Sequence, residues 1–523
     1  MNSQLGDQYD EKGKVNKPIL LTGMKGIKFV ETADKTKFEV STDISDKADE
    51  SSGWYNYEAK EWANAQTEDG SMWVWIPRFA YKTNSTGHKF DIKFLIGTTD
   101  QYIENGERKT ARRAKSATEE IDSTQEYVVH PAFTNESSIN YANGGWDKEL
   151  TGIWVAKFEA GYASGNNSAQ VKASSVNYSQ AHAYVAGAEN GGSDGTSTAR
   201  NWLDGEYGVA TTGSDGKTTY SWKDGKQTAI KYPTFQGKTY SMNYINHNDV
   251  FNIAKVLNEA GNIYGLSVDS DSHLMKNSEW GAVAYLGQSQ YGLDGTNIYI
   301  NNINLNNTTP SVYGVTGCAS KSNADGGTEK VVTTTIAKIN AGTQSNMTTW
   351  ETKDGQKASS SGTVYGVYDM SGGLWERTAG YVANNRWELG GYGKSIAYNY
   401  DEATKTYTTL KTTSTKYTTV YPHDAESDKT SIESTDANLN TASRANYALN
   451  KYIFGDAIRE TSTNGAGNSP WYNDYSYFPG LYGPFSIRGG NLWYTGHAGL
   501  FSFHRTIGRS TYGVGFRAVL VAV

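Results

Sequence analysis

Cysteine is nearly absent from this chain of 523 residues, which contains only Cys318. A single thiol excludes an intrachain disulfide, a cysteine-based zinc cluster and a two-cysteine redox site. Proline is also scarce, with 9 residues beside 56 glycines, a balance that is typical of a loop-rich protein. The fold must therefore be stabilised by the packing of its side chains.

Long apolar runs are missing too. No apolar stretch approaches the roughly 20 residues that span a bilayer, and residues 1–17 lack the apolar core of a secretory signal. The formal net charge is −7, and lysine and arginine form no basic stripe along the chain. We therefore expect no membrane insertion and no nucleic-acid partner.

Aromatic residues are abundant by contrast. The chain has 37 tyrosines, 15 phenylalanines and 14 tryptophans. Tyrosine provides a large amphipathic contact area at a small entropic cost, so its excess fits a binding surface, and burial of tyrosine in a β-rich core explains the excess equally well. The composition alone leaves both interpretations open.

The order of apolar and polar stretches indicates one long domain behind a leading segment. We assign residues 1–65 to an N-terminal extension or attachment segment and residues 66–523 to the domain. Two apolar runs, beginning at Met72 and Thr151, share one layout and predict neighbouring strands of one sheet. Polar, loop-like insertions are expected near residues 83–150, 186–236, 302–362 and 400–445.

Two stretches have helical periodicity. The first ends at Gly261, with Asn248 as the expected N-cap. The second predicts an amphipathic helix around Trp280 to Leu286, which also stops at a glycine. With these as the two main helices and strands, aromatic loops and turns elsewhere, the predicted class is α+β, with mixed or antiparallel strands and long loop insertions.

In residues 487–523, the candidate variable region, two classes of position alternate. One class consists of Gly, aromatic and Arg residues that suit tight turns and a packed frame. The other has no shared chemistry, which favours replaceable contacts on a recognition surface over a catalytic site. The expected frame positions are Arg488, Gly489, Gly490, Trp493, Phe501, Phe503, Arg505, Phe516 and Arg517. The expected contact positions are Leu492, Tyr494, Thr495, His497, His504, Thr506, Ile507, Arg509, Thr511, Tyr512 and Val514.

Several motifs follow one another in a characteristic order. The helix pair SMNYINHNDVFNIAKVLN and LMKNSEWGAVAYL is followed by YGVYDMSGGLWERTAGYV, which includes Asp369, Trp375 and Glu376, and then by IRGG and GFRAVL. Taken in this order, the motifs resemble the formylglycine-generating-enzyme-like, or sulfatase-modifying-factor, branch of the C-type lectin fold. The resemblance runs from residue 70 to residue 523 and implies that fold.

The departures from this family bear on the activity. Formylglycine-generating enzymes bind copper through a pair of cysteines, whereas Cys318 stands alone here. Iron-dependent sulfoxide synthases of the same fold need three clustered histidines, whereas the 8 histidines of this chain are scattered. We expect no enzymatic activity, no catalytic metal and no cofactor, although structural calcium held by loop carboxylates is left open. Asp369 and Glu376 are expected to brace the loop around Trp375 rather than to form an acid–base pair.

The terminal segment is also similar to the variable proteins of diversity-generating retroelements. These proteins carry a C-type lectin domain whose terminal segment is rewritten at the adenines of a template, which alters Asn codons of the form AAY. Such replacement cannot produce Trp, Met, Lys, Glu or Gln, and the expected contact positions hold none of these residues. Trp493, which the code forbids at such a site, falls where the family frame requires it.

The resemblance implies a hypervariable ligand-binding or receptor-binding display protein. Its partner would be a protein or glycan receptor on a target cell, and Tyr494, Arg509 and Tyr512 are expected to contribute most to affinity. The protein would be extracellular, on a phage tail or a bacterial cell surface, and several copies would bind together.

Two other functions were weighed against display. A formylglycine-generating-type oxidase, or another metal-dependent enzyme of the same fold, is the alternative function, although the single cysteine argues against it. A calcium-dependent sugar lectin is disfavoured because the chain has no Glu-Pro-Asn or Gln-Pro-Asp triplet.

Overall fold

The structure is a computed structural model of the chain. It describes residues 8–44, 49–116, 118–135, 143–162, 208–212, 218–222, 233–243, 245–305, 314–320, 331–424, 436–509 and 511–522. Among these residues strands are far more numerous than helices, which confirms the α+β class.

The strands are short and are numbered in chain order. They are β1 (Tyr9–Asp10), β2 (Val15–Asn16), β3 (Lys25–Glu31), β4 (Phe38–Ser41), β5 (Asn64–Gln66), β6 (Met72–Pro77), β7 (Phe79–Asn84), β8 (Lys89–Phe94), β9 (Gln101–Glu104), β10 (Glu107–Thr110), β11 (Val128–Val129), β12 (Gly152–Ala156), β13 (Gly161–Tyr162), β14 (Gly208–Thr212), β15 (Thr218–Trp222), β16 (Pro233–Thr234), β17 (Ser270–Leu274), β18 (Ile303–Leu305), β19 (Cys318–Ser320), β20 (Val332–Thr334), β21 (Met347–Thr349), β22 (Trp375–Val382), β23 (Tyr398–Asp401), β24 (Thr406–Leu410), β25 (Thr419–Tyr421), β26 (Ala466–Gly467), β27 (Ser476–Tyr477), β28 (Phe485–Arg488), β29 (Phe503–Thr506), β30 (Val514–Phe516) and β31 (Ala518–Ala522). The α-helices are α1 (His247–Ala254), α2 (Asn277–Gly287), α3 (Ile336–Ala341), α4 (Trp387–Tyr392), α5 (Lys394–Ala397) and α6 (Asp436–Leu449).

The first large sheet has the strand order β17-β31-β12-β6-β5-β3-β4, and its neighbouring strands are antiparallel. Strands β6 and β12 are buried at every position, as expected for continuous apolar runs in the middle of a covered sheet. Trp75 pairs directly with Trp154, and their ring centroids are 5.3 Å apart. The predicted pairing of the two apolar runs is confirmed.

Residues that we assigned to an N-terminal extension take part in this sheet. Strands β3 and β5 pair within it, and Trp54 and Trp62 are fully buried in the same core. Burial of these large aromatic side chains stabilises the fold, whereas an extended polar linker would have no such buried side chains. The expected boundary at residue 65 therefore does not coincide with a break in packing.

The second large sheet contains most of the terminal segment. Its order is β25-β22-β28-β29-β27-β26, and β30 also pairs with β22. Strand β28 is antiparallel to both β22 and β29, whereas β30 runs parallel to β22. Because β31 follows β30 directly and lies in the first sheet, the terminal segment connects the two large sheets.

The first predicted helix exists but is shorter than expected. The side chain of Asn246, not Asn248, caps α1 by accepting a hydrogen bond from the Asp249 N–H at 3.0 Å. Asn248 lies inside the helix, and its side chain accepts a hydrogen bond from the Ser395 N–H at 2.9 Å. The helix ends at Ala254, well before Gly261.

The second predicted helix, α2, is not amphipathic, because all of its residues are buried. It contacts β6, β8 and β22, which cover it on several sides. The expectation of two main helices is also incomplete, because α6, with 14 residues, is longer than either.

The segments expected as loop-like insertions contain regular structure where the structure describes them. The segment 83–150 holds β8 to β11, the segment 302–362 holds β18 to β21 with α3, and the segment 400–445 holds β24, β25 and the start of α6. In β8 the alternate residues Phe90, Ile92 and Phe94 are buried, a period-two pattern hidden among charged neighbours. Much of 186–236 lies outside the described residues, apart from β14, β15 and β16.

Among the helices that the structure describes, none is long and apolar enough to cross a membrane.

Candidate ligand-binding site

An open depression with a volume of about 500 Å³ lies where β22, β28, β29 and β30 meet. We call it the terminal depression. Among the expected contact positions, those that line it are Tyr494, His504, Thr506, Thr511, Tyr512 and Val514. The rest of its wall is formed by Trp375, Ile487, Asn491, Trp493, Arg505 and Gly513. The structure therefore brings together six of the eleven expected contact positions, which are separated by up to twenty residues in the chain.

His504 lies among aromatic rings at one side of the depression. It is in β29, paired with Ile487 of β28, and its ring is stacked on Tyr475 and Tyr477 at centroid distances of 5.1 and 5.6 Å. Its Nδ1 is 2.6 Å from the backbone oxygen of Arg505. Burial lowers the pKa of His504 to about 4, so the imidazole is neutral at neutral pH.

Tyr494 and Trp375 form the aromatic floor next to it. The two rings meet edge to face with centroids 5.1 Å apart, and Tyr475 contacts Tyr494 in the same manner at 5.3 Å. Tyr475 and Tyr477 are in the aromatic stretch before the candidate variable region, and they support the contact residues from behind. Ile487 was not assigned to the site from the sequence, whereas the aromatic stretch that contains Tyr475 and Tyr477 was expected to mix core and supporting-rim residues.

The side chains of Leu492 and Trp493 have the opposite exposure to that expected. Leu492 is fully buried against Leu374, whereas Trp493 has 48% of its surface exposed at the edge of the depression. The backbone N–H of Leu492 donates to the Gly373 oxygen at 2.9 Å, which fixes this turn with Leu492 inward. Leu492 as a contact and Trp493 as a packed frame residue are therefore both wrong.

Two further positions depart from their expected classes. Val514 lines the depression but is 95% buried, in a cluster with Trp375 and Ile487, so it forms part of the floor. Arg505 was expected in the packed frame, yet it is only partly buried and lies in the wall. Its guanidinium carbon is 4.4 Å from the centroid of the Tyr477 ring, a cation–π contact.

The remaining expected contacts lie outside the depression. Thr495 and His497 are in the 3-10 turn Thr495–His497, where His497 Nδ1 is 3.0 Å from the Asn473 oxygen. Ile507 is partly buried and Arg509 is exposed, and both lie in the loop between β29 and β30. These four residues extend the surface beside the depression rather than lining it.

Residues far away in the sequence bind the backbone of that loop, and the sequence pattern did not identify them. Arg377 donates from Nη2 to the Arg509 oxygen at 2.6 Å, and the His247 N–H donates to the Gly508 oxygen at 2.8 Å. Asn243 Nδ2 donates to the Tyr512 oxygen at 2.9 Å. All of these contacts are made to the loop backbone, so side chains in the loop can differ without loss of these hydrogen bonds.

Buried arginines fix the two ends of the terminal segment. Arg488 is fully buried, and it donates to the backbone oxygens of Ser502, Asp456 and Ala457 at 3.1, 2.7 and 3.0 Å. Its guanidinium carbon is 5.4 Å from the ring centroid of Trp280. Because three carbonyls from two separate segments accept hydrogen bonds from this side chain, Arg488 holds these segments together.

Arg517 is also fully buried and forms an ion pair with Glu376. It donates to both carboxylate oxygens, at 3.0 and 2.6 Å, and to the backbone oxygens of Ala156 and Tyr368 at 2.6 and 2.7 Å. Burial raises the pKa of Glu376 to about 7 in spite of the neighbouring guanidinium. The pair joins β22 to the terminal segment. Phe501, Phe503 and Phe516 are fully buried, as expected for the frame.

Asp369 braces the neighbouring loop. Its carboxylate accepts hydrogen bonds from the Gly317 N–H and from Asn301 Nδ2, both at 2.9 Å. Burial raises the pKa of Asp369 to about 6. Burial and the negative charge of Asp369 together raise the pKa of nearby Glu159 well above its usual value. These carboxyl groups have structural partners and do not reach the terminal depression.

Gly490 allows a close approach within the frame. Its φ is +75°, and a Cβ at this position would lie 2.6 Å from the Cβ of Ala498. A larger residue would therefore push apart the backbone segments at residues 490 and 498, which lie on either side of Trp493 in the sequence. The neighbouring Gly489 has φ +87°. Both glycines fit their expected place in the frame.

Asp474 supports the same turn from beneath. It is 99% buried, and its Oδ2 accepts a hydrogen bond from the Phe501 N–H at 2.9 Å. Burial raises the pKa of Asp474 to about 8, although the Phe501 N–H and the charge of Arg488 act in the opposite direction. We expect the carboxyl group to be protonated at neutral pH.

A second charged cluster is buried at β17, the edge strand of the first sheet. His273 Nδ1 is 2.9 Å from Asp271 Oδ1, and Nε2 is 2.9 Å from Glu279 Oε1. The Lys276 N–H donates to Glu279 at 2.7 Å, and the Tyr417 hydroxyl donates to Asp271 at 2.6 Å. Burial alone would lower the pKa of His273, but the Glu279 and Asp271 carboxylates raise it to about 9. This imidazolium bridges two carboxylates and was not identified from the sequence.

Cys318 does not line the terminal depression. Cys318 is buried beside Ile303, Val315 and Met347, and burial raises the pKa of its thiol. Within the described part of the chain, no group of three or more His, Cys, Asp or Glu side chains is arranged to hold a metal ion.

No protein-family model matches the chain, and no curated protein matches it.

Proposed function

We propose that this protein is a hypervariable ligand-binding display protein with a C-type lectin fold of the formylglycine-generating-enzyme-like branch. Its terminal segment would be diversified by a retroelement. The α+β class with few helices is compatible with this fold. The side chains of the terminal depression and of the adjoining loop would bind the ligand, while buried residues of the same segment keep the backbone in place.

The observation that carries the proposal is the separation of these two roles within one short segment. Six of the positions with no shared chemistry line a single depression, whereas Arg488 and Arg517 are fully buried and bonded to backbone oxygens. The backbone oxygens of Gly508, Arg509 and Tyr512 accept hydrogen bonds from His247, Arg377 and Asn243, respectively. A recognition surface whose contacts vary needs such a division, because each new side chain must leave the backbone unchanged.

The chemistry of the depression favours binding over catalysis. The lining residues include no carboxylate and no cysteine, and the pKa of His504 is lowered to about 4 by burial, so the group is a poor proton acceptor at neutral pH. Aromatic side chains dominate instead, and Tyr512 and Trp493 have 47% and 48% of their surfaces exposed. Tyr, Trp and Arg are the residue types that most often dominate binding energy.

The ligand would be a protein or glycan receptor on a target cell, with the protein displayed outside the cell on a phage tail or a bacterial surface. Several copies on one particle would raise a modest affinity to a useful avidity, because linked sites bind at high effective concentration. No cofactor is needed for this function.

The test is the nucleotide sequence near the gene. We expect a near-copy of the coding segment for residues 487–523 beside a reverse-transcriptase gene, differing from it only at adenines. The differences should map to exposed or partly exposed positions such as Tyr494, Thr506 and Tyr512, and should spare the codons of buried Leu492 and Val514. A gene neighbourhood without such a copy would refute diversification and leave a binding module of fixed specificity.

A further inference from the structure

Thr495 has a backbone conformation that suits few residues. Its φ is +44°, in the left-handed region, where a β-branched side chain is sterically strained. The His497 N–H donates to the Tyr494 oxygen at 2.9 Å, so Thr495 is the second residue of a tight turn, which we call the 494–497 turn. Turns with a positive φ at the second residue favour Gly, Asn and Asp, so threonine is strained at this place.

The surrounding structure holds this turn in place. The Ala498 N–H donates to the Thr495 oxygen at 3.0 Å, and the Tyr475 N–H donates to the His497 oxygen at 2.9 Å. His497 Nδ1 is 3.0 Å from the oxygen of Asn473, which itself has a φ of +65°. Strained backbone persists where such contacts outweigh its cost, and it is found most often at functional sites.

The 494–497 turn carries two aromatic residues of the terminal depression. Tyr494 directly precedes Thr495, and its ring meets Trp375 edge to face with the centroids 5.1 Å apart. Trp493, one residue earlier, has 48% of its surface exposed at the edge of the depression. Thr495 itself does not line the depression. Because φ and ψ are the only soft dihedrals of the backbone, a change of φ at Thr495 would redirect the chain that carries these rings.

We propose that residue 495 acts on ligand binding by setting the conformation of the 494–497 turn, and that threonine keeps this turn strained. Residue 495 is then a positioning residue for Trp493 and Tyr494 rather than a ligand contact. The inference rests on the proposed function, because it assigns a role within the same binding surface. Residues that tolerate a positive φ preserve this surface, whereas proline, whose φ is fixed near −65°, does not.

The strain is measured by urea unfolding of Thr495→Asn. Asparagine tolerates a positive φ better than threonine, so the unfolding equilibrium constant should fall by roughly fivefold or more. Thr495→Val is the matched control, because it keeps the β-branched side chain and therefore the strain, and it should unfold like the unaltered protein. Thr110→Asn, the same exchange at an exposed position of β10, should not stabilise the protein.

The positioning role is measured with binding proteins selected from a library of random loops against the full-length protein. The probes are those whose affinity falls in Tyr512→Ala, which removes an exposed ring of the depression. Thr495→Pro should weaken the binding of these probes by about tenfold or more, because proline cannot adopt the φ of +44°. Thr495→Asn should bind them within about twofold of the unaltered protein, because asparagine keeps the turn.

The outcomes separate the inference from the proposed function. If Thr495→Asn were no more stable than the unaltered protein, the turn would be unstrained and the inference would be overturned, even if Thr495→Pro did not fold. Equal binding of the probes by Thr495→Pro and the unaltered protein would overturn the positioning role and leave the binding site intact. Loss of affinity in Thr495→Asn would make residue 495 a contact and would also overturn the inference. If every selected protein bound Tyr512→Ala as tightly as the unaltered protein, the binding site itself would be overturned.

Discussion

The protonation of Asp474 can be tested by replacing it with an isosteric amide. Asp474→Asn keeps the oxygen that accepts the Phe501 N–H and removes the ability to ionise. In the native protein this carboxyl group is 99% buried and its Oδ1 has no hydrogen-bond partner, which an ionised oxygen would require. The substitution therefore imitates the state that we expect at neutral pH.

The magnitude follows from the shift in pKa. Burial raises the pKa of Asp474 from 3.8 to about 8, so the folded protein holds this proton over a range in which the unfolded chain has lost it. The stabilisation from the proton is complete below pH 3.8 and is lost as the pH rises toward 8. Each pH unit in this window costs the unaltered protein about 1.4 kcal/mol relative to Asp474→Asn.

The assay is urea unfolding followed by tryptophan fluorescence, at intervals between pH 4 and pH 9. Asp354→Asn, at an exposed acidic residue, is the control and should follow the unaltered protein at every pH. The free energy of unfolding of Asp474→Asn should rise relative to that of the unaltered protein as the pH increases to about 8. If the free energies of unfolding of Asp474→Asn and the unaltered protein changed in parallel with pH, Asp474 would be ionised in the folded protein and the reasoning would be refuted.

Three further predictions concern burial in the terminal segment and the buried ion pairs. Leu492→Ala should lower the free energy of unfolding by about 2–5 kcal/mol because it leaves a cavity in the core, whereas Tyr512→Ala should change it by less than about 0.5 kcal/mol. Urea unfolding of the two variants measures this difference, and equal effects would contradict the burial of Leu492 and the exposure of Tyr512. Arg517→Met should cost about 3–5 kcal/mol, and more than Glu376→Gln, because the carbonyls of Ala156 and Tyr368 lose their donor. The pKa of His273 is raised to about 9, so the stabilisation from its proton is complete below pH 6.5 and is lost as the pH rises through 9. In His273→Gln the free energy of unfolding should no longer fall between pH 6.5 and pH 9. An unchanged pH dependence of unfolding would argue against an imidazolium at this position.

Features that depend on local pattern could be predicted from the sequence. The pairing of β6 with β12 followed from two continuous apolar runs of similar layout, and such runs have few alternatives to burial in the middle of a sheet. Arg488 and Arg517 were assigned to the frame because they belong to the motifs IRGG and GFRAVL, and both are fully buried. In each case the deciding information lay within a few residues.

Features that depend on turns and on distant contacts could not be predicted. Leu492 and Trp493 exchanged their expected exposures because they lie in a turn, where neither strand nor helix periodicity applies, and because Gly373 orders the backbone from another part of the chain. A tryptophan is usually assigned to a core because of its size. In Trp493, however, the backbone N–H donates to Asn491 Oδ1 and the ring is exposed. Arg377 is 132 residues from the loop oxygen that it binds, and no local pattern marks such a contact.

The position of β31 has a consequence for the synthesis of the protein. This strand, Ala518–Ala522, lies between β12 and β17 in the first sheet, although it follows the candidate variable region in the chain. Translation must pass through the codons for residues 487–517 before the ribosome releases the strand that completes the sheet. A chain that ended before Ala518 would leave β12 and β17 without their shared neighbour. The last strand of the chain is therefore needed to complete the first sheet, so a chain truncated within residues 487–517 is expected to misfold.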